Sequence, residues 1–178
     1  MRTSIIKQIQ NPERFKQRLL HWSQQFREIV YLDSNFHKGN YNSYDCVLAV
    51  DAFTAIKTDY FNAFEDLQQY QSQTRDWFFG YLSYDLKNDT ERLYSINTDG
   101  LAFPDLFFFQ PKKLFFLKEN EVEICYLNLC DDEVENDWEE ILSSAILTVE
   151  RENLLNIQQR ISKEEYGNRV SKMLEHIQ

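Results

Sequence analysis

The stretch "WFFGYLSYDLKNDTERL", residues 77–93, decides how the chain is read. An apolar run holds one glycine and then gives way to Tyr84, Asp85, Lys87, Asp89, Glu91 and Arg92. It reads either as a strand ending in a catalytic cluster or as a rigid sheet element whose polar end is structural. Strand alternation puts Trp77, Phe79, Tyr81 and Ser83 on one face and Phe78, Gly80, Leu82 and Tyr84 on the other. Both faces carry large apolar groups, which predicts a strand covered on both sides rather than an edge facing water. Gly80 in its middle predicts a close approach by a neighbour, or a bulge. A catalytic reading of Tyr84, Asp85, Lys87 and Glu91 needs a nucleophile or acceptor beside them, and none is evident. The expectation is a buried carboxylate paired with Lys87 or Arg92.

Working outward, "FPDLFFFQP" (103–111) reads as a second aromatic strand, and "LFFLKENEVEICYLNL" (114–129) as a hairpin turning near Glu119 and Asn120. Upstream, "EIVYL" (28–32) and "CVLAVDAF" (46–53) read as strands flanking a polar loop, "DSNFHKGNYNSYD". Three helices complete this part. The first is capped by Asn11 with Pro12 at its first position, and its buried stripe is Phe15, Leu19, Trp22 and Phe26. The second starts near Asp59 with Phe61, Phe64 and Leu67 inward. The third is acidic, "DDEVENDWEEILSSAILTV" (131–149), with Val134, Trp138, Ile141, Leu142 and Ala145 inward. A last helix opens on a capping box, Ser162 with Glu165, and runs along Tyr166, Val170, Leu174 and Ile177. That pattern is still running at Gln178, which suggests a longer parent chain. The fold class is α+β, an antiparallel-rich sheet with helices packed on it.

Composition narrows the functions. With 43% apolar and 15% aromatic residues among 178, the chain can bury a core. A net charge of -10 argues against nucleic acid as a partner. No stretch approaches the roughly 20 apolar residues of a membrane span, and the N-terminus lacks a signal-peptide core. Cys46, Cys125 and Cys130 form no CxxC pair and read as reduced cytoplasmic thiols, and His21, His37 and His176 show no metal-ligand spacing. Four glycines cannot build a phosphate loop, and no nucleophile elbow is present.

Three stretches, in order, resemble the N-terminal region of the chorismate-utilising enzymes of the anthranilate synthase component I superfamily: "VYLDSNFHKGNYNSYDCVLAVDAF", then "GYLSYDLKNDTERL" with "FPDLFFF", then "ISKEEYGNRVSKMLEHIQ". The superfamily includes aminodeoxychorismate synthase (para-aminobenzoate synthase) component I. The resemblance covers essentially the whole chain. It implies an N-terminal domain over 1–160, with 161–178 as the first helix of a catalytic domain that continues beyond the chain. Anthranilate synthases carry Leu-Leu-Glu-Ser where this chain has "YLDS" (31–34), and "ISKEEYGNRV" is closer to the aminodeoxychorismate branch. The implied reaction, in the full-length protein, adds ammonia from a glutamine amidotransferase partner to chorismate with Mg2+, giving 4-amino-4-deoxychorismate for folate synthesis. The family's catalytic residues and metal ligands fall outside these 178 residues, so no residue here inherits a catalytic or metal role.

The resemblance also implies half of a pocket for L-tryptophan, at Leu32, Asp33, Ser34, Tyr41, Asn42, Ser43 and Tyr44. Asp33 and Ser34 would meet the ammonium. Ser43 or loop amides would meet the carboxylate, and Tyr41 or Tyr44 would pack on the indole. The competing reading of Asp33 and Ser34 is an Asx turn that satisfies backbone. Three alternatives stand beside this synthase: an anthranilate synthase component I fragment, a stand-alone amino-acid-binding or regulatory module, and a scaffold presenting an aromatic face.

Overall fold

The computed structural model describes residues 1–37, 43–93, 99–146 and 158–177. The chain divides into two compact units, Met1–Leu147 and Thr148–Gln178. The boundary expected at 160/161 lies inside the second.

The first unit is built on a six-stranded antiparallel sheet: β1 (Arg2–Gln8), β2 (Ile29–Asp33), β3 (Cys46–Thr58), β4 (Phe79–Leu82), β5 (Leu106–Lys118) and β6 (Glu121–Leu127). The strand order is β1-β6-β5-β3-β2, and β4 pairs with the first part of β5. The fold is α+β, as the aromatic strands and amphipathic helices imply. Helices α1 (Pro12–Ser23) and α4 (Val134–Ser143) pack against each other, and residues from both join the core over Leu48, Val50, Phe115 and Ile124. Trp22 joins the layers: its ring meets Phe26 and Phe115 edge-on, and its Nε1 donates to Glu140 at 3.1 Å. Burying side chains as large as Phe115 and Leu19 contributes about 2 kcal/mol each. Helix α2 (Ala63–Thr74) lies over Ile56, Leu106 and Phe108, and α3 (Lys87–Thr90) is a single turn.

Several expectations change. β1 is an element that the sequence pattern does not announce. It pairs along its full length with β6, and its Arg2 guanidinium reaches Asp76 at 2.9 Å and the carbonyls of Pro111 and Cys125. β3 runs five residues past Phe53, because a bulge between Ala52 and Thr54, with Asp51 at φ 61°, restores its pairing. Helix α2 begins at Ala63 and not Asp59: the Asp59 carboxylate accepts from the Phe61 amide, and Asn62 is left-handed at φ 54°. Phe61 and Phe64 are therefore exposed, Leu67 is half-buried, and Ala63 is the buried residue. Helix α4 stops at Ser143, where the Ser143 and Ser144 hydroxyls both donate to the Glu140 carbonyl and backbone geometry leaves the helix. Leu142 and Ala145 consequently face out.

β4 is also not the doubly covered strand that its two apolar faces suggest. Among the described residues it pairs only with β5, and Trp77 and Tyr81 are 52% and 38% exposed. Phe78 is covered, meeting Phe108 and Tyr70 of α2. On the other face the aromatics cover one another, Trp77 against Phe79 and Phe116, and Tyr81 against Phe107. The hairpin turn falls at Glu119 and Asn120 as expected, with Glu119 at φ 54°.

The second unit contains α5 (Lys163–Ile177). Ser162 Oγ accepts from the Glu165 amide at 3.1 Å, while the Glu165 carboxylate pairs with Arg169 and does not close the box. Tyr166, Leu174 and Ile177 are each more than half exposed.

Candidate functional site

The polar end of the opening stretch is a structural junction. Ser83 donates its hydroxyl to Asp105 Oδ1 at 2.7 Å and its amide to the Asp105 carbonyl at 2.7 Å. "GYLSYD" and "FPD" are thereby tied together. Ser83 Oγ also accepts from the Asp85 amide, starting the turn before α3. Asp89 reaches across to α2 and accepts from the amides of Asn62 and Phe64, so a carboxylate from one element caps another. Lys87 pairs with Asp85 at 2.6 Å and lies over the Tyr84 ring. The expected pairing is present, but it is not buried: Tyr84 is 84% exposed and Asp85 56%. Gly80 is where the close approach occurs. A Cβ there would stand 1.9 Å from the Phe107 carbonyl oxygen.

The "YLDS" corner lies at the end of edge strand β2. Asp33 is held on three sides. Its carboxylate accepts from Lys16 Nζ at 3.3 Å, from the Tyr31 hydroxyl at 3.0 Å and from the Asn35 amide at 2.8 Å. The last contact is an Asx turn, and it carries Asn35 and Phe36 into left-handed backbone at φ 48° and 63°. Partial burial would raise the Asp33 carboxyl, but these donors, the Asn35 amide foremost, hold it below the usual carboxylate value. Lys16 shows the reverse balance: burial opposes its charge, and Glu13 and Asp33 more than restore it, so its ammonium is held above the ordinary lysine value. Burial, with the neighbouring Cys46 and Asp33, pushes the Tyr31 phenol far up, so it stays a donor, and burial pushes the Cys46 thiol to about 11.

Beside this corner opens a cleft of about 210 Å3 between α1 and the β5–β6 turn, lined by Glu13, Lys16, Ser34, Phe36, Asp45 and Glu119 among others. It is smaller than the roughly 300 Å3 at which ligand pockets begin. Of the expected binding residues, Ser34 lines the cleft and Asp33 braces it through Lys16. Tyr44 packs on Phe116 at 4.8 Å, among residues that also include Val30, and Leu32 follows the same strand parity as Val30. Leu32 is 54% exposed, and Ser43 is exposed. The sheet edge thus separates Asp33 and Ser34 from Leu32 and Tyr44. Tyr41 and Asn42 lie outside the described residues. Lys16 belongs to the site although no motif marks it. The only signal in the sequence is its i,i+3 spacing from Glu13, next to the buried Phe15.

A second polar cluster lies in the core. Lys113 Nζ donates to Asp137 at 2.5 Å and to Glu133 at 2.6 Å, with the Tyr126 hydroxyl on Asp137 at 2.7 Å and the Trp22, Phe26 and Tyr126 rings around the ammonium. Burial alone would lower the Lys113 pKa, but the two carboxylates hold it above the ordinary lysine value. The cluster fastens α4 to β5. Among the described residues no three His, Cys, Asp or Glu side chains converge to hold a metal ion.

The linked motifs sit in an antiparallel α+β domain. Residues 22–178 match the family model described as chorismate binding enzyme, and the chain belongs to that family. No curated protein matches the chain.

Proposed function

We propose that the chain is the N-terminal, structural part of an aminodeoxychorismate synthase component I within this family. In the full-length protein, ammonia from a glutamine amidotransferase replaces the ring hydroxyl of chorismate, which leaves as water, to give 4-amino-4-deoxychorismate. The observation that carries the choice of branch is the engagement of Asp33 by Lys16, Tyr31 and Asn35. A feedback inhibitor such as L-tryptophan needs a free acceptor for its ammonium, and this carboxylate already serves three donors from its own chain. An amino acid held at this edge would use the Ser34 hydroxyl on one side and Leu32 and Tyr44 on the other. A cytoplasmic setting is part of the same proposal, since it supplies the amidotransferase partner. No helix among the described residues is long and apolar enough to cross a membrane.

The test supplies full-length protein with chorismate, Mg2+ and an ammonium salt. Products are resolved after treatment with a lyase that converts 4-amino-4-deoxychorismate to 4-aminobenzoate. Formation of 4-aminobenzoate supports the reading; fluorescent anthranilate formed without the lyase overturns it. The 178-residue chain assayed alone is expected to give neither product.

A further inference from the structure

A larger cleft in the first unit lies away from the "YLDS" corner. It measures about 660 Å3 and is bounded by the end of β1, one side of α1 and Leu142 of α4. Its lining is mixed: Ile9, Phe15 and Leu142 are apolar, and Arg14 and Arg18 join Gln8 and Gln10 among the polar residues. We propose that this cleft binds a small anion through a carboxylate or phosphate group.

Three observations carry the proposal. The chain has 29 acidic and 19 basic residues, yet among the described residues neither arginine side chain makes an ion pair or hydrogen bond. Arg18 Nε is shielded from solvent and has no partner within the chain, so the guanidinium lining the cleft is not neutralised from the protein side and an anion there would supply the missing counter-charge. The two cations are four residues apart on one helix and repel each other, so an anion between them relieves both. The helix terminus is not the attraction. Pro12 has no amide hydrogen, and Asn11 already takes the amides of Arg14 and Phe15, with its side chain and its carbonyl. A concave site of this volume suits a small molecule with an apolar body rather than a flat protein contact.

The test is calorimetry on this chain at constant ionic strength, titrating sodium phosphate and, separately, sodium malonate. Saturable one-site binding of at least one is expected, about tenfold weaker in Arg14→Gln and in Arg18→Gln. Arg27→Gln, at an exposed cation already paired with Glu28, should bind as wild type. Arg18→Lys, which keeps the charge, should recover part of the loss, and circular dichroism checks that each variant is folded. Phosphate alone, malonate alone or both would each support the site and name its preferred group. No saturable binding of either anion overturns the proposal, as does wild-type affinity in the double Gln variant. Binding of polyglutamate with neither small anion also overturns it and makes the cleft a dock for an acidic segment. The assay uses no chorismate or ammonia, so its failure leaves the synthase reading untouched.

Discussion

Gly80→Ala isolates the physical claim made by the opening stretch. The added Cβ would lie 1.9 Å from the Phe107 carbonyl oxygen, 2.6 Å from the Phe108 Cα and 2.7 Å from the Phe107 carbonyl carbon. All three are backbone atoms of β5, so no side chain can rotate away. Reaching even 3.0 Å requires β4 to retreat from β5 by more than 1 Å. That movement disrupts the four-residue ladder from Phe79 to Leu82 and the ring contacts of Phe78 with Phe108 and Tyr81 with Phe107. Overpacking of this kind costs about 1–3 kcal/mol, and loss of ladder hydrogen bonds adds about 1 kcal/mol each. The expected loss is therefore about 3 kcal/mol, read as a lower urea midpoint at unchanged slope. Gly100→Ala is the control, because nothing lies within 4 Å of its added carbon and its φ is not positive. It should be neutral or stabilise by up to about 1 kcal/mol. Equal midpoints for Gly80→Ala and wild type would refute the close approach of β4 to β5.

Lys113→Met leaves Asp137 and Glu133 without their cation, and should destabilise by about 3–5 kcal/mol in urea unfolding. Joint replacement of Lys113, Asp137 and Glu133 by apolar residues of similar size should recover most of that loss. Asp33 and Asp76 both have folded pKa values held below the ordinary 3.8. Their stabilisation is complete above that value and is lost as pH falls through the folded values, because the unfolded chain then binds more protons. Asp76→Asn should therefore flatten the acid limb of a stability-against-pH curve measured by thermal unfolding. Cys46, Cys125 and Cys130 are buried, and burial pushes all three thiols up, so a thiol reagent at pH 8 should label the folded chain slowly and three sulfurs rapidly in denaturant.

Apolar periodicity carries most of the fold. The α1 stripe of Phe15, Leu19 and Trp22 is buried as read, and the β5–β6 turn falls where Glu119 and Asn120 place it. Failures cluster where a polar side chain, nearby or distant in sequence, takes a backbone group at a helix end. Asp59 and Asp89 set the start of α2, and Ser143 and Ser144 end α4. β1 is illegible because its alternation is polar on both sides of "II", and only pairing with β6 makes it a strand. β4 reads as doubly covered because sequence does not distinguish aromatics buried under a helix from aromatics covering each other. At the candidate site, Asp33 and Ser34 are legible as a corner. Lys16 is not, since its role depends on α1 crossing the end of β2.

The Asp33 corner also shows why one methylene matters to the proposed branch. Asp33 Oδ1 receives both the Asn35 amide and Lys16, while Oδ2 receives Tyr31. The Asn35 bond closes a tight turn that fits an aspartate and not the longer glutamate. A glutamate here would release Asn35 from that turn and carry its carboxylate further from the backbone, toward a ligand. Asp33→Glu should therefore weaken the turn, seen as loss of protection of the Asn35 amide in hydrogen exchange. It should also strengthen binding of L-tryptophan to the full-length protein in calorimetry, by about tenfold for one new charge-assisted hydrogen bond. Weaker binding by Asp33→Glu than by wild type would mean that Asp33 itself holds the ammonium, and would remove the physical basis for preferring the aminodeoxychorismate branch.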